Sequence, residues 1–424
     1  MASARITGTN ENIQTYGNGT RDFTSLATWE ASTDLDLVTA MQSEVLEGYA
    51  DSALWDDGIL ISGATTNASY FRIIRPAAGQ KHDGTSLTGL RFEQSGGAGT
   101  TAVFGILEAF TSVQDIVGFQ NGDRGFAIST FQNATGAGSF IGCIAGPSEN
   151  VGAGTENGFI STVTGTVFIN CLAEEQENSG FFIAAGVSYL YNCVAVNNGA
   201  YGFEQGGSPS ILKNCLGYNN PTADFESGAD AASVTNASGD TTAPGTGSRI
   251  SQTFVFVDEL NNDFHLDVTD TGALNHGTDL SADGVFAFDD DIDGDLFTLW
   301  DIGFDENGLL PVSNVELDQA SCTADLRVYR WDNVTESTLV EAVRVNGADV
   351  LSVEVEGDFG AGGSIGMSGA NSTSAGFYPL QTLDTFSASG IAPINETALL
   401  LKPTILAGTG VDVNFYLLVR GGLA

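Results

Sequence analysis

The dipeptide Asn-Cys occurs three times at a fixed interval: Asn170-Cys171, Asn192-Cys193 and Asn214-Cys215 stand 22 residues apart. Ten residues after each cysteine comes a phenylalanine, Phe181, Phe203 and Phe225, on the same step. A chain that repeats chemistry at a fixed interval repeats a structural unit, and so short a unit buries an apolar face only by stacking on its neighbours. The segments around the cysteines, "TVFINCLA", "SYLYNCVAV" and "SILKNCLGY", are short, β-branched or aromatic, and bounded by Gly and Asn, so they read as strands. Helical repeats usually run past about 30 residues, and the Leu-x-x-Leu-x-Leu frame of a leucine-rich repeat is missing. What remains is an all-β solenoid, a single-stranded parallel β-helix whose coils of 22 residues each hold two or three short strands.

Coils stacked about 4.8 Å apart place each residue above its equivalent in the coil before, so identical side chains form ladders. The cysteine column extends upstream to give Ile116, Cys143, Cys171, Cys193 and Cys215, all small or medium and apolar. The aromatic column reads Phe126, Phe159, Phe181, Phe203 and Phe225, with the six extra residues before Phe159 bulging out as a loop. Gly125, Gly158, Gly180 and Gly202 mark a turn just ahead of these rings. Asn170, Asn192 and Asn214 fit a bend, because Asn tolerates the left-handed region and its amide can bond the amide above it. Ladder cysteines lie within reach of a disulfide, but in-register thiols act as apolar fillers, and the reduced form is expected. Cys322 is far off in sequence.

Both ends of a solenoid need covering, since a bare coil is an open sheet edge. Near the start, Phe23, Leu26 and Trp29 are spaced for an amphipathic helix over the first coil. Residues 1–50 are expected to form an N-terminal arm and capping helix, and 51–306 the β-helix. Past residue 307 the period disappears. Alternating stretches such as Leu326 to Trp331 and Val413 to Val419 suggest an antiparallel β-sandwich over 307–424 for attachment or oligomerisation, its final strand either core or a subunit contact.

Charge excludes one class of partner. With 53 acidic residues against 14 basic ones the net charge is −39, a field that repels nucleic acid and suits a salty medium. The N-terminus lacks the pattern of a signal peptide, and no run approaches the roughly 20 apolar residues of a membrane helix, so no membrane insertion is expected.

The order of "GTRDFTSLATWEAST", "ISGATTNASYFRIIRPAAGQKHDG", the Asn-Cys coils, "NNDFHLDVTDTGALNHGTDLSAD" and "DDDIDGDLFTLWDIGFDE" resembles the right-handed parallel β-helix proteins of the pectate-lyase-like superfamily, in versions common in marine bacteria and their phages. The resemblance covers about residues 15–306 and departs from the family's closing Trp-Asp-Ile-Gly-Ala-Asp-Glu at Phe304. It implies a non-enzymatic virion protein (spike, fibre or capsid-surface decoration), assembled in the host cytoplasm and placed on the particle surface. Its expected partners are other virion proteins, further copies of itself, with a trimer the expected form, and a host surface polysaccharide.

The alternative is a polysaccharide lyase or glycoside hydrolase. Two carboxylates about 5 to 10 Å apart across a groove would be needed for hydrolysis. Glu174, Glu175 and Glu204 are the catalytic candidates, with Glu177 and Glu226 nearby, although in so acidic a chain a solvated face is the simpler reading. Within the coils from Ile116 to Phe225 the only basic residues are Arg124 and Lys213, which leaves little for a lyase mechanism. One metal motif stands out. Asp289-x-Asp291-x-Asp293-Gly294 matches the opening of a calcium loop, but Trp300 occupies the twelfth position where Glu would close it, so a structural calcium competes with a plain acidic hairpin. No other cofactor is expected.

Overall fold

The computed structural model describes residues 4–94, 102–120, 129–134, 136, 138–148, 156–297 and 300–306, then 316–317, 326–334, 343–344, 349–359, 361–370, 378–379, 386–393, 400–409 and 412–420. The chain divides into two compact units, Met1–Gly308 and Leu309–Ala424.

The first unit is a parallel β-helix. One coil runs Val167–Ile169, then Leu172–Glu174, then Phe181–Ile183, and the next coil repeats this with Tyr189–Tyr191, Val194–Val196 and Tyr201–Gln205. Each strand pairs in parallel with its equivalent one period on: Phe168 with Leu190, Ala173 with Ala195, Phe181 with Phe203. The result is three sheets, called first, second and third in chain order within a coil, of eight, eight and seven strands.

The solenoid begins earlier than the sequence boundary at 51. Glu11–Tyr16 and Ser43–Gly48 already pair in parallel as the opening strands of the first sheet. Between them the helix Leu26–Thr33 turns Leu26 and Trp29, both fully buried, into the core beside Tyr16. The buried guanidinium of Arg72 ties this end together. It donates to both carboxylate oxygens of Glu108, to Ser62 O and to Glu30 O of the helix.

Phenylalanine rings fill the interior. Phe131, Phe159, Phe181, Phe203 and Phe225 stack nearly parallel, with centroids 4.9, 4.6, 5.0 and 4.7 Å apart. Phe131, paired with Phe159, therefore holds the place assigned to Phe126, which lies outside the described residues with Gly125 and the loop at 149–155. Cys143, Cys171, Cys193 and Cys215 are buried free thiols in the same core as Ile116; Cys322 lies outside the described residues.

Two ladders differ from expectation. Gly158, Gly180 and Gly202 are not left-handed turn residues. A Cβ on Gly180 would stand 2.9 Å from Gly202 O and 3.1 Å from the Ala173 methyl, so these glycines let the second and third sheets close together. Asn170, Asn192 and Asn214 do occupy a left-handed bend, with φ of 51, 52 and 54°. Their side chains, however, do not bond one another. Asn170 donates to Asp290 O and Asn214 to Thr278 O, both far along the chain. The stacked amides belong instead to the next bend, where Asn198 Nδ2 donates to Asn220 Oδ1 and Gln176 N–H to Asn198 Oδ1.

Residues 254–306 explain this difference. After the last coil they return across the outer faces of the first and second sheets. Phe254, Phe264, Leu266, Ile302 and Phe304 cover Val117, Ile144, Leu172, Val194 and Leu216. Leu280, Phe288, Phe297 and Trp300 cover Ile141, Ile169 and Tyr191. From the coil of Ile141 and Ile144 onward, two of the three sheets are thus buried on both faces, which is why their strands there read as continuous apolar runs rather than alternating ones.

In the second unit the described strands form two antiparallel sheets of five and four strands. The final strand, Asp412–Arg420, lies between Leu326–Val334 and Asp349–Asp358 and buries Val413, Phe415 and Leu417, so these side chains belong to the core of the unit.

Candidate functional site

The three candidate carboxylates are not brought together. Glu174 ends a strand of the second sheet and is fully buried beside Ser86 of the 81–89 loop. Glu175 follows in the left-handed bend, with φ of 51°, and faces solvent. Glu204 stands on the third sheet and accepts a hydrogen bond from Ser179 Oγ. A hydrolytic pair must face one groove; these three stand on separate faces of the coil.

Glu174 is chemically the most unusual of them. The Ser86 hydroxyl is its polar neighbour, without the geometry of a full hydrogen bond to either carboxylate oxygen. Burial pushes its pKa up to about 8, Ser86 offsetting this only partly and Glu175 adding to it. Burial thus favours the protonated form of this carboxyl at neutral pH.

The outer face of the second sheet is open at its N-terminal end, where the cover stops. There Leu54, Ser86, Leu87, Arg91, Glu93, Phe119, Gln120, Pro147 and Asn262 line a cleft of about 310 Å³. Arg91, Glu93 and Phe119 come from adjacent coils, Glu93 directly beside Phe119 in register. An apolar ring flanked by an arginine, a carboxylate and two amides is suited to a polar ligand with one apolar face, such as a sugar. Sequence reading missed this cleft, because its residues come from the early coils, the 81–89 loop and the returning segment.

The Asp289-Asp291-Asp293 motif folds as a turn, and its three carboxylates diverge. Asp291 Oδ1 accepts from the backbone N–H groups of Asp293, Gly294 and Asp295, and Oδ2 from that of Glu306. Burial raises its pKa to about 6 against the pull of these amides. Asp289 lines a separate cleft with Phe297 and Trp300. Asp293 turns toward His265, its Oδ2 3.3 Å from Nε2. The expected calcium set is therefore not assembled, since Asp291 has its oxygens committed to the backbone and Asp289 points elsewhere.

Around His265 charges gather from three parts of the returning segment. Its Nδ1 lies 2.5 Å from Asp263 Oδ1, and Asp293 and Asp305 stand on its other side. Burial alone would lower its pKa, but Asp293, Asp305 and Asp263 carry it to about 10. Burial raises Asp305 to about 7, the His265 charge offsetting part of this. The contrast is His82, buried against Gly142 O and held down near 4 by desolvation. Arg5 adds a further clasp, donating to both oxygens of Asp115 and to Asp290.

No family model matches the sequence, and no curated protein matches it either. Among solved structures, pectate lyase Pel9A aligns over 71% of this chain and 97% of its own at 12% identity and a TM-score of 0.36. The tailspike protein gp49 from Acinetobacter baumannii bacteriophage Fri1, a capsular polysaccharide depolymerase, aligns over 90% of this chain and 71% of its own at 7% identity and a TM-score of 0.14. Likeness at that level says nothing of activity, and the β-helix assignment rests on the sheets themselves.

Proposed function

We propose that this chain is a structural protein of a bacteriophage particle, a spike, fibre or surface decoration that presents a rigid β-helix and engages other copies or other virion proteins through its C-terminal unit. What supports the reading is the cover over the solenoid. Residues 254–306 pack over the outer faces of two of the three sheets, and Glu174, the carboxylate otherwise best placed among the coils for acid chemistry, is fully buried beside Ser86. Side chains so arranged stiffen a rod. The phage setting and the trimeric form rest on the sequence resemblance.

A second reading, a depolymerase of acidic or cell-surface glycans, draws on the cleft at Arg91, Glu93 and Phe119. One experiment separates the two. The purified full chain is incubated with anionic and neutral polysaccharides, with and without calcium, and unsaturated and reducing ends are measured. The structural reading expects none, together with decoration of purified particles by an antibody against the chain. Turnover lost in Glu93→Gln or Glu174→Gln would overturn it in favour of the enzyme.

A further inference from the structure

His265, Asp293 and Asp305 are 28 and 12 residues apart in sequence, yet one donor atom from each lies within 4.8 Å of the other two. His265 sits in the strand Asp263–Leu266, Asp293 in the turn capped by Asp291, and Asp305 in the closing stretch before residue 307. The ring nitrogens have distinct surroundings. Nδ1 is held by the Asp263 carboxylate, while Nε2 is buried and faces Asp293 Oδ2 at 3.3 Å without the alignment of a hydrogen bond. Asp305 is 8% exposed, and among the described residues a single hydrogen bond reaches it, from Leu266 N–H to Oδ2. A buried carboxylate with one hydrogen bond and a buried ring nitrogen poorly aligned with its neighbouring carboxylate stand around the same point, an arrangement that an ion would complete.

We propose that His265 Nε2, Asp293 and Asp305 bind a divalent transition-metal ion of the zinc type, which staples three stretches of the returning segment over the second sheet. The spacing fits: two ligands each about 2.1 Å from a tetrahedral ion stand about 3.4 Å apart, and His265 Nε2 lies 3.3 Å from Asp293 Oδ2. A carboxylate on the far nitrogen, as Asp263 supplies, is the partner that metal-bound histidines have in general, because it fixes the tautomer and the ring plane. Gly84, with φ of +80°, brings bare backbone alongside. A Cβ there would stand 2.1 Å from Nε2 and 2.3 Å from Cε1, so only glycine lets the loop lie against the ring. The imidazole donor selects against calcium, which takes oxygen ligands, and favours a borderline ion. Asp293, 35% exposed at its side chain, leaves the remaining position open to water. The ligand set differs from the Asp289-Asp291-Asp293 motif and shares only one member with it.

The competing arrangement is an imidazolium held by the same carboxylates, with no ion. The full chain, treated with chelator and returned to buffer of high ionic strength, is titrated with Zn²⁺ by calorimetry, and with Co²⁺ by visible absorption. The proposal expects saturation at one equivalent, a higher melting temperature with Zn²⁺, and a cobalt spectrum without thiolate charge transfer. Asp263→Asn should weaken binding about ten- to a hundredfold, as loss of an outer-shell partner does. Asp293→Asn, at a half-exposed position and with circular dichroism unchanged, should abolish it. Binding that is unsaturable, or unchanged in both variants, would mean an unspecific acidic surface and overturn the proposal. So would thiolate charge transfer, or calcium binding that Zn²⁺ does not displace.

Discussion

Glu174→Gln tests whether the outer face of the second sheet is sealed from water at this position. In the folded chain burial holds the Glu174 pKa near 8, against an ordinary value of 4.5. A folded value above the unfolded one means that the folded state keeps the proton after the unfolded chain has released it. The favourable contribution is therefore complete below the unfolded value and is lost as pH rises through the folded one. The loss amounts to about 3 kcal/mol at pH 7 and levels off near about 5 kcal/mol above pH 8, since each tenfold difference in proton affinity between the two states is worth ~1.4 kcal/mol. Glutamine keeps the shape and cannot ionise, so the variant escapes that loss. The assay is urea unfolding of parent and variant between pH 5 and 9, followed by a probe of the β-helix unit. Asp291, Asp305 and His265 also titrate near this window, and they cancel in the difference between the two proteins. The difference should be about 1 kcal/mol at pH 5 and favour the variant increasingly toward pH 8. Parallel curves for parent and variant across the range would show that Glu174 meets water, and the cover as described would be wrong.

Phe181→Ala should cost about 3–5 kcal/mol by cavity formation, since its ring stacks 4.6 Å from Phe159 and 5.0 Å from Phe203; Phe182→Ala, half-buried on the outer face, should cost much less in the same chemical denaturation series. Asn192 and Asn214 share a left-handed bend, but the Asn192 amide is buried without a partner, whereas Asn214 bonds Thr278 through both side-chain atoms. Asn192→Gly should thus be neutral or stabilising, and Asn214→Gly should cost about 1–3 kcal/mol; equal melting temperatures for the two variants would count against the contact with the returning segment. Glu108→Gln leaves the fully buried Arg72 charge half-paired and should cost about 3–5 kcal/mol, read as a drop in the urea midpoint at unchanged slope.

The coil is legible in sequence because stacking is local arithmetic. A fixed 22-residue step sets each strand beside the next, so the period alone specifies the pairing of Phe181 with Phe203 and of Ala173 with Ala195. The period misleads where the step is broken: the coil after Ile116 carries extra residues, and Phe131 rather than Phe126 joins the stack. It also points the regularly spaced glycines to turns, because a sequence shows that a side chain is missing but not what would have struck it. What only the tertiary structure decided is the outside of the coil. Residues 254–306 follow no period, and their contacts span up to 287 residues, as from Arg5 to Ile292. Such contacts leave no spacing to read. They divide the Asp289-Asp291-Asp293 motif among three surroundings and bring Asp293 to His265 and Asp305. The period determined how each coil lies on the next; the packing of an aperiodic segment across those coils determined which polar groups lost their water, and with it their chemistry.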